Sequence, residues 1–204
     1  MKINFFSRLF NNTKNNFYYK VYKNENITNE MLKEVLNLDK KFFKEEYLWD
    51  TDYQIKIFNK IKNSFIIIKY KNKLIGYLNY LVITEEKYNE MLNSNVIVDE
   101  FELNEILPFN ENNSNYLTIN SVVIDKKFQN GIAVRLLTSE LQNILSEMNL
   151  NNYKIVGING FAVSNDGMHF LENLGFEKIR LLEDNNNLYV LSGEKLDKYL
   201  KKVK

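Results

Sequence analysis

Two apolar rhythms alternate along this chain of 204 residues. Strand-like stretches repeat every second residue, helical stretches every three to four, and several strands follow one another across short polar turns. That mixture predicts an α+β domain with a mixed sheet and helices on both faces. Three places weigh most: the hairpin around Lys71-Asn72-Lys73, the strand Tyr116 to Asp125 that turns at Gly131 into a helix, and the stop Leu174-Gly-Phe176.

In chain order, Phe17 to Lys23 alternates aromatic and polar residues and reads as a strand. Thr28 or Asn29 offers a helix cap, and Met31, Leu32, Val35, Leu36, Leu38 and Phe42 follow at helical spacing to about Phe43. Lys44 to Asp52 is a charged, aromatic loop before a second helix marked by Tyr53, Ile57, Phe58 and Ile61. Phe65 to Tyr70 and Leu74 to Ile83 form a hairpin. An excursion at 84–114 begins with a short helix through Met91 and holds the one proline, Pro108. After the turn at Gly131, Leu137, Leu141, Ile144, Leu145 and Met148 repeat at helical steps from Val134 on. Lys154 to Val163 is an apolar strand. Ser164 to Gly167 caps a short helix with Phe170, Leu171 and Leu174 inward, and Gly175 ends it. Glu177 to Leu182 and Leu188 to Ser192 form a last hairpin, and Leu196, Tyr199 and Leu200 mark a terminal helix.

With 27 basic and 26 acidic residues, the chain lacks the basic excess that a phosphate-tracking surface needs, so nucleic acid is not an expected partner. There is no cysteine, which excludes disulfides, thiol nucleophiles and thiolate metal sites; a single histidine, His169, excludes a histidine-rich metal centre. No metal is expected. A cysteine-free chain fits a reducing cytoplasm, and we expect it there. The strongest apolar run, Phe65 to Ile68, is broken by Lys69, so no membrane-spanning segment is expected. Residues 1–16 read as an N-terminal arm packing on the domain rather than as a membrane-surface anchor. No repeat or flexible linker divides residues 17–204, which we read as one domain.

A strand that turns at glycine into a helix leaves unpaired N–H groups at the positive end of the helix dipole, a site for pyrophosphate or another anion. Three segments in this order resemble the GNAT superfamily of acyl-CoA-dependent N-acetyltransferases over about Phe17 to Ser192. The hairpin Phe65 to Tyr77 resembles its second and third strands. Val122-Val-Ile-Asp-Lys-Lys-Phe-Gln-Asn-Gly-Ile-Ala133 resembles its acetyl-CoA motif, Q/R-x-x-G-x-G/A. Phe161 to Phe176 resembles its later strand and helix. The resemblance implies a mostly antiparallel sheet of about seven strands and acetyl-CoA as acyl donor.

It further implies that Gly131, Ile132, Ala133 and Val134 cradle the pyrophosphate, joined by Gln129 and Asn130, while Val122 and Ile124 lend main-chain groups to the pantetheine arm. Asn120 and Ser121 stand where the family bulges this strand and supplies an oxyanion donor. The family asparagine falls on Ser164 by strict spacing or on Asn165 after a one-residue deletion. There are two departures from the pattern. Gln129 lies one residue too close to Gly131 unless Phe128 takes its place, and the tyrosine that protonates the leaving thiolate is replaced by Leu171.

Attack on a thioester needs a neutral amine, so something must remove a proton from the acceptor. Glu45 and Glu46, with Asp50 beside Tyr47 and Trp49, are the first candidates. The acidic excursion is the second. His169 reads as an exposed or capping residue. The leading function is transfer of an acetyl group to a small-molecule or peptide amine by a monomer or homodimer. The alternatives are a catalytically silent acyl-CoA-binding module and a structural or interaction domain.

Overall fold

The computed structural model of the chain describes residues 18–43, 45, 48, 50–61, 64–110, 113–129 and 131–201. The proposed arm at 1–16, Glu46, Tyr47, Trp49 and Asn130 lie outside them. The central hairpin joins β2 (Phe65–Tyr70) to β3 (Lys73–Ile83) through Lys71 and Asn72, both at positive φ. Such a two-residue turn matches the twist of the strands it connects. Phe65 to Ile68 and Leu74 to Ile83 are buried without interruption, so both faces of the hairpin are covered.

The remaining strands are β1 (Tyr19–Lys23), β4 (Ile106–Leu107), β5 (Ser114–Ile124), β6 (Lys154–Ala162), β7 (Glu177–Leu181) and β8 (Asn187–Ser192). They make one eight-stranded sheet in the order β1-β2-β3-β5-β6-β8-β7, with β4 also pairing to β3. Among the described residues, only β5 and β6 run parallel. A parallel pair needs a crossover, and α4 (Ile132–Leu150) supplies it. The mixed, mostly antiparallel sheet with flanking helices is as expected.

One face of the sheet packs on α4 and on α6 (Gly193–Lys201). Leu137, Leu141 and Leu145 meet Ile66, Leu78 and Leu117 there, each side chain's burial stabilising by roughly 1.5–3 kcal/mol. The opposite face carries two cores. α1 (Asn29–Asp39) and α2 (Thr51–Lys60) cover β2 and β3 with Leu32, Val35, Leu38 and Phe58. α3 (Glu85–Asn93) and the chain after it cover the other end with Tyr88, Met91, Phe101 and Ile106.

The expected first helix, drawn to Phe43, ends at Asp39. The Asp39 carbonyl accepts from the amides of Phe42 (2.8 Å) and Phe43 (2.9 Å), so the chain curls back at that point. Asp50, expected in an acidic acceptor loop, caps α2: its carboxylate accepts from the amides of Asp52 (2.8 Å) and Tyr53 (3.1 Å). The excursion is tied down along its middle. Tyr53 donates to the Phe101 carbonyl, and Arg180 of β7 donates to the carbonyls of Leu92 and Ser94.

α5 (Asn165–Leu174) is capped by the Ser164 hydroxyl, which accepts from the Gly167 amide at 3.1 Å. At its far end Gly175 sits at φ 93°. The amides of Gly175 and Phe176 return to the carbonyls of Glu172 and Leu171, the two bonds of a Schellman stop. A side chain disfavours that backbone, so Gly175→Ala is expected to cost about 1–2 kcal/mol in equilibrium denaturation. An unchanged unfolding midpoint would show that the left-handed turn is not required.

Candidate functional site

β5 carries one residue more than β3 along their shared ladder. Asn79 pairs with Ser121 and Tyr80 with Ile119, which leaves Asn120 as a bulge. On the other edge of β5, pairing with β6 stops at Ile119 and Gly160. β5 then continues to Ile124 beside β3, while β6 continues to Ala162 beside β8. The two strands separate there, and a cavity of about 1100 Å³ reaches into the gap.

The ladder also fixes where main-chain groups point. The Asp125 amide donates to the Ile75 carbonyl at 2.7 Å, which makes Ile124 and Gly76 a pair that does not bond to each other. By the two-residue alternation, Val122 and Ile124 turn their N–H and C=O away from β3, toward the edge that β6 has left. The Ile124 carbonyl accepts from the Gln129 side chain at 3.2 Å. Gln129 is thus tied back to the strand end, and Val122 keeps both main-chain groups toward the cavity.

Gly131 opens α4 with no side-chain cap. A Cβ added there would meet only the Phe128 carbonyl, at 3.9 Å, so the position faces open space. Its φ of −140° is ordinary extended backbone, and folding alone does not demand glycine. Gly131 and Val134 line the cavity, with Lys126 and Arg135 adding positive charge on either side of the turn. Uncapped helix amides, nearby bases and an open strand edge are the donor set that a pyrophosphate and an amide-bearing chain require, so an acyl-CoA fits these residues.

The wall formed by α1, β3 and β5 is polar. Tyr77 donates its hydroxyl to Asp39 at 2.5 Å and stands 2.8 Å from the Ser121 hydroxyl. The bulge side chain, Asn120, donates to Asn79 at 2.9 Å, and Asn79 donates to the Ser64 carbonyl at 2.8 Å. Gln54 of α2 lines the same wall with its side-chain carbonyl oxygen buried and lacking a partner among the described residues. Asp39 is only 6 % exposed. Burial pushes its carboxyl up to about 6, against the opposing pull of the Tyr77 hydrogen bond. Burial, then the Asp39 carboxylate, drives the Tyr77 hydroxyl well above its ordinary value.

Of the acids expected from the sequence, Glu45 is exposed and does not line the cavity. The excursion does reach it, through Ile97, Val98 and Asp99; burial raises the Asp99 carboxyl. Glu90 and Glu105 instead hold the buried ammonium of Lys87, at 3.1 and 3.4 Å. Asn165 is exposed at the start of α5, where Ser164 is the cap and lines the cavity. Leu171 is buried and lines the cavity, so no phenol stands there, and His169 is exposed at the rim beside Glu172. Asp39, Tyr77, Asn79 and Gln54 escaped the sequence reading. Signals existed: Asp39 shares the stripe of Leu32 and Val35 at helical spacing, and Asn79 interrupts a strand that is otherwise apolar or aromatic from Leu74 to Ile83.

Among the described residues, no three His, Asp or Glu group to hold a metal ion, and no helix is long and apolar enough to cross a membrane. No protein-family model matches the chain, and no curated protein matches it in sequence. Solved structures do share its fold. PH1933 from Pyrococcus horikoshii OT3 is 17% identical, covering 86% of this chain and 99% of that one, with a TM-score of 0.57. NAA60 from Arabidopsis thaliana, solved in complex with a bisubstrate analogue, is 12% identical over 87% and 99%, with a TM-score of 0.56. PaiA N-acetyltransferase from Thermoplasma acidophilum, solved with coenzyme A, is 10% identical over 86% and 98%, with a TM-score of 0.53. The chain therefore has the GNAT-like fold.

Asp39 also ties stability to pH. Its carboxyl titrates near 6 when folded against an ordinary value of 3.8, so the folded state holds a proton that the unfolded chain has lost between those values. Stability is complete below about pH 4 and declines as pH rises through 6, by on the order of 3 kcal/mol from this group. Asp39→Asn removes that contribution. Unfolding free energies of the two proteins, measured from pH 4 to 7, are expected to lie close near pH 4 and to separate as wild type weakens toward pH 6; parallel curves would contradict the placement of Asp39.

Proposed function

We propose that the protein transfers an acyl group, acetyl in the first instance, from a CoA thioester to a primary amine of a small molecule or peptide. The observation that carries this reading is the gap between β5 and β6. It opens beside an uncapped helix start and ends at a strand bulge, so a long, thin, anion-headed donor can enter from the α4 side. Gly131, Ile132, Ala133 and Val134 would hold the pyrophosphate through their amides, with Lys126 and Arg135 nearby. Val122 would bond the pantetheine arm and offer an N–H toward the thioester carbonyl. The Asp39 and Gln54 wall suits an acceptor that arrives as a cation. The cysteine-free chain suits a reducing cytoplasm.

Gly131→Val places a side chain in the space that the pyrophosphate would use. Its stability is expected to fall by no more than about 1 kcal/mol, the cost of a poorer N-cap residue. Calorimetric titration with acetyl-CoA is expected to show a loss of tenfold or more in affinity, about 1.4 kcal/mol. Equal affinity in the two proteins would remove the pyrophosphate from this turn, and no binding by wild type would favour a structural or interaction domain.

Leu171 favours a second reading, a silent acyl-CoA-binding module, because the side chain beside the gap has no proton for a leaving thiolate. Under it, wild type binds acetyl-CoA without releasing thiol, and Leu171→Tyr raises thiol release with an amine panel by roughly tenfold or more. Turnover by wild type that the substitution does not improve would dispose of it.

A further inference from the structure

We propose that Asp39, reached through Tyr77 and Ser121, accepts the proton that the acceptor amine must lose before it attacks the thioester. This assignment rests on the acyl-transfer reading above. The direction of the relay follows from counting protons. An ionised Asp39 can only accept, so Tyr77 gives it the single phenolic proton. The Tyr77 oxygen can then only accept, and Ser121, 2.8 Å away, must be its donor. The Ser121 oxygen is left with lone pairs, and Ser121 lines the cavity next to the Asn120 bulge. The open end of the relay therefore lies where β6 leaves β5, and its closed end is a carboxylate buried under α1.

The step balances in protons and charge. An alkylammonium passes a proton to Ser121, Ser121 passes its own to Tyr77, and Tyr77 passes its own to the Asp39 carboxylate. A cation and an anion become a neutral amine and a carboxylic acid, which a poorly solvated wall favours. The amine nitrogen then forms its bond to the acyl carbon while the carbon–sulfur bond breaks. The departing thiolate takes the remaining excess proton from nitrogen, and Asp39 returns its proton to water in the cavity. Other groups face the same cavity: Gln54, from α2, is neutral, Asp99 comes from the excursion, Lys126 and Arg135 stand at the α4 end, and Asp166, His169 and Asp184 lie on the far side. Lys40 and Lys41, its chain neighbours, are exposed, and no described Lys or Arg pairs with Asp39.

Thiol release by the full chain, with acetyl-CoA and an amine panel, tests the assignment in wild type, Asp39→Asn and Ser121→Ala. Asparagine keeps an oxygen for Tyr77, so Asp39→Asn preserves the structural bond and removes only the proton acceptor. Wild type is expected to lose kcat/KM below about pH 6, following the Asp39 carboxyl. Asp39→Asn is expected to lower kcat by ~10²-fold or more, to abolish that acidic limb, and to leave acetyl-CoA affinity within twofold. Ser121→Ala, which changes one hydroxyl at the cavity wall, is expected to slow kcat at least tenfold and guards against misfolding of the aspartate variant. An active wild type whose rate and acidic limb persist in Asp39→Asn overturns the relay alone. An inactive wild type that binds acetyl-CoA overturns the acyl-transfer reading and the relay with it.

Discussion

Along the β3–β5 ladder two residues of β3, Asn79 and Tyr80, face three of β5, from Ile119 to Ser121. A sheet can accept that extra residue only by bending the bulged strand, and β5 bends away from its parallel neighbour. From Ile119 onward β5 follows β3 and β6 follows β8. The gap exists because each strand keeps its hydrogen bonds on one side and gives them up on the other. Unpaired main-chain groups in a protein interior need partners, and the open edge at Val122 is where we propose that a ligand takes the place of a strand.

The rest of the site is arranged around that bend. The side chain of Asn120 is held by Asn79, and Asn79 by the Ser64 carbonyl, so the bulge is anchored from beneath. Tyr77 and Ser121 face the same side and meet Asp39 at the end of α1. α4 begins a few residues after β5 ends, with Gly131 leaving its first amides uncapped. Opposite demands are met at the two ends. Basic side chains and a helix dipole stand at the α4 end, while a buried carboxylate and an amide carbonyl without a partner among the described residues stand on the α1 and α2 side.

The architecture was legible in the sequence because periodicity and turn chemistry encode it locally. Lys71 and Asn72 between apolar runs, Ser164 before α5 and Gly175 after it are signals read within a few residues. The glycine turn into α4 was legible through Gly131 and through resemblance; its role as a cofactor site is our proposal. The acidic wall was not. Asp39 and Tyr77 are 38 positions apart and meet only because α1 lies across β3. Asp50 looked available to a substrate, yet it caps α2, and Glu105, one of the acids of the excursion, pairs with Lys87. Carboxylates are plentiful in this chain, and only the packed structure separates those committed to caps and ion pairs from the one buried at the cavity.

If the protein transfers acyl groups from CoA as proposed, the donor must lie between β5 and β6. A crystal structure with a non-hydrolysable acetyl-CoA analogue measures that directly. The pyrophosphate is expected on the amides at the start of α4, from Gly131 to Val134. The pantetheine arm is expected along Val122 and the thioester carbon beside Asn120 and Ser121. An analogue bound elsewhere, or a gap that stays closed to it at saturating concentration, would contradict the account.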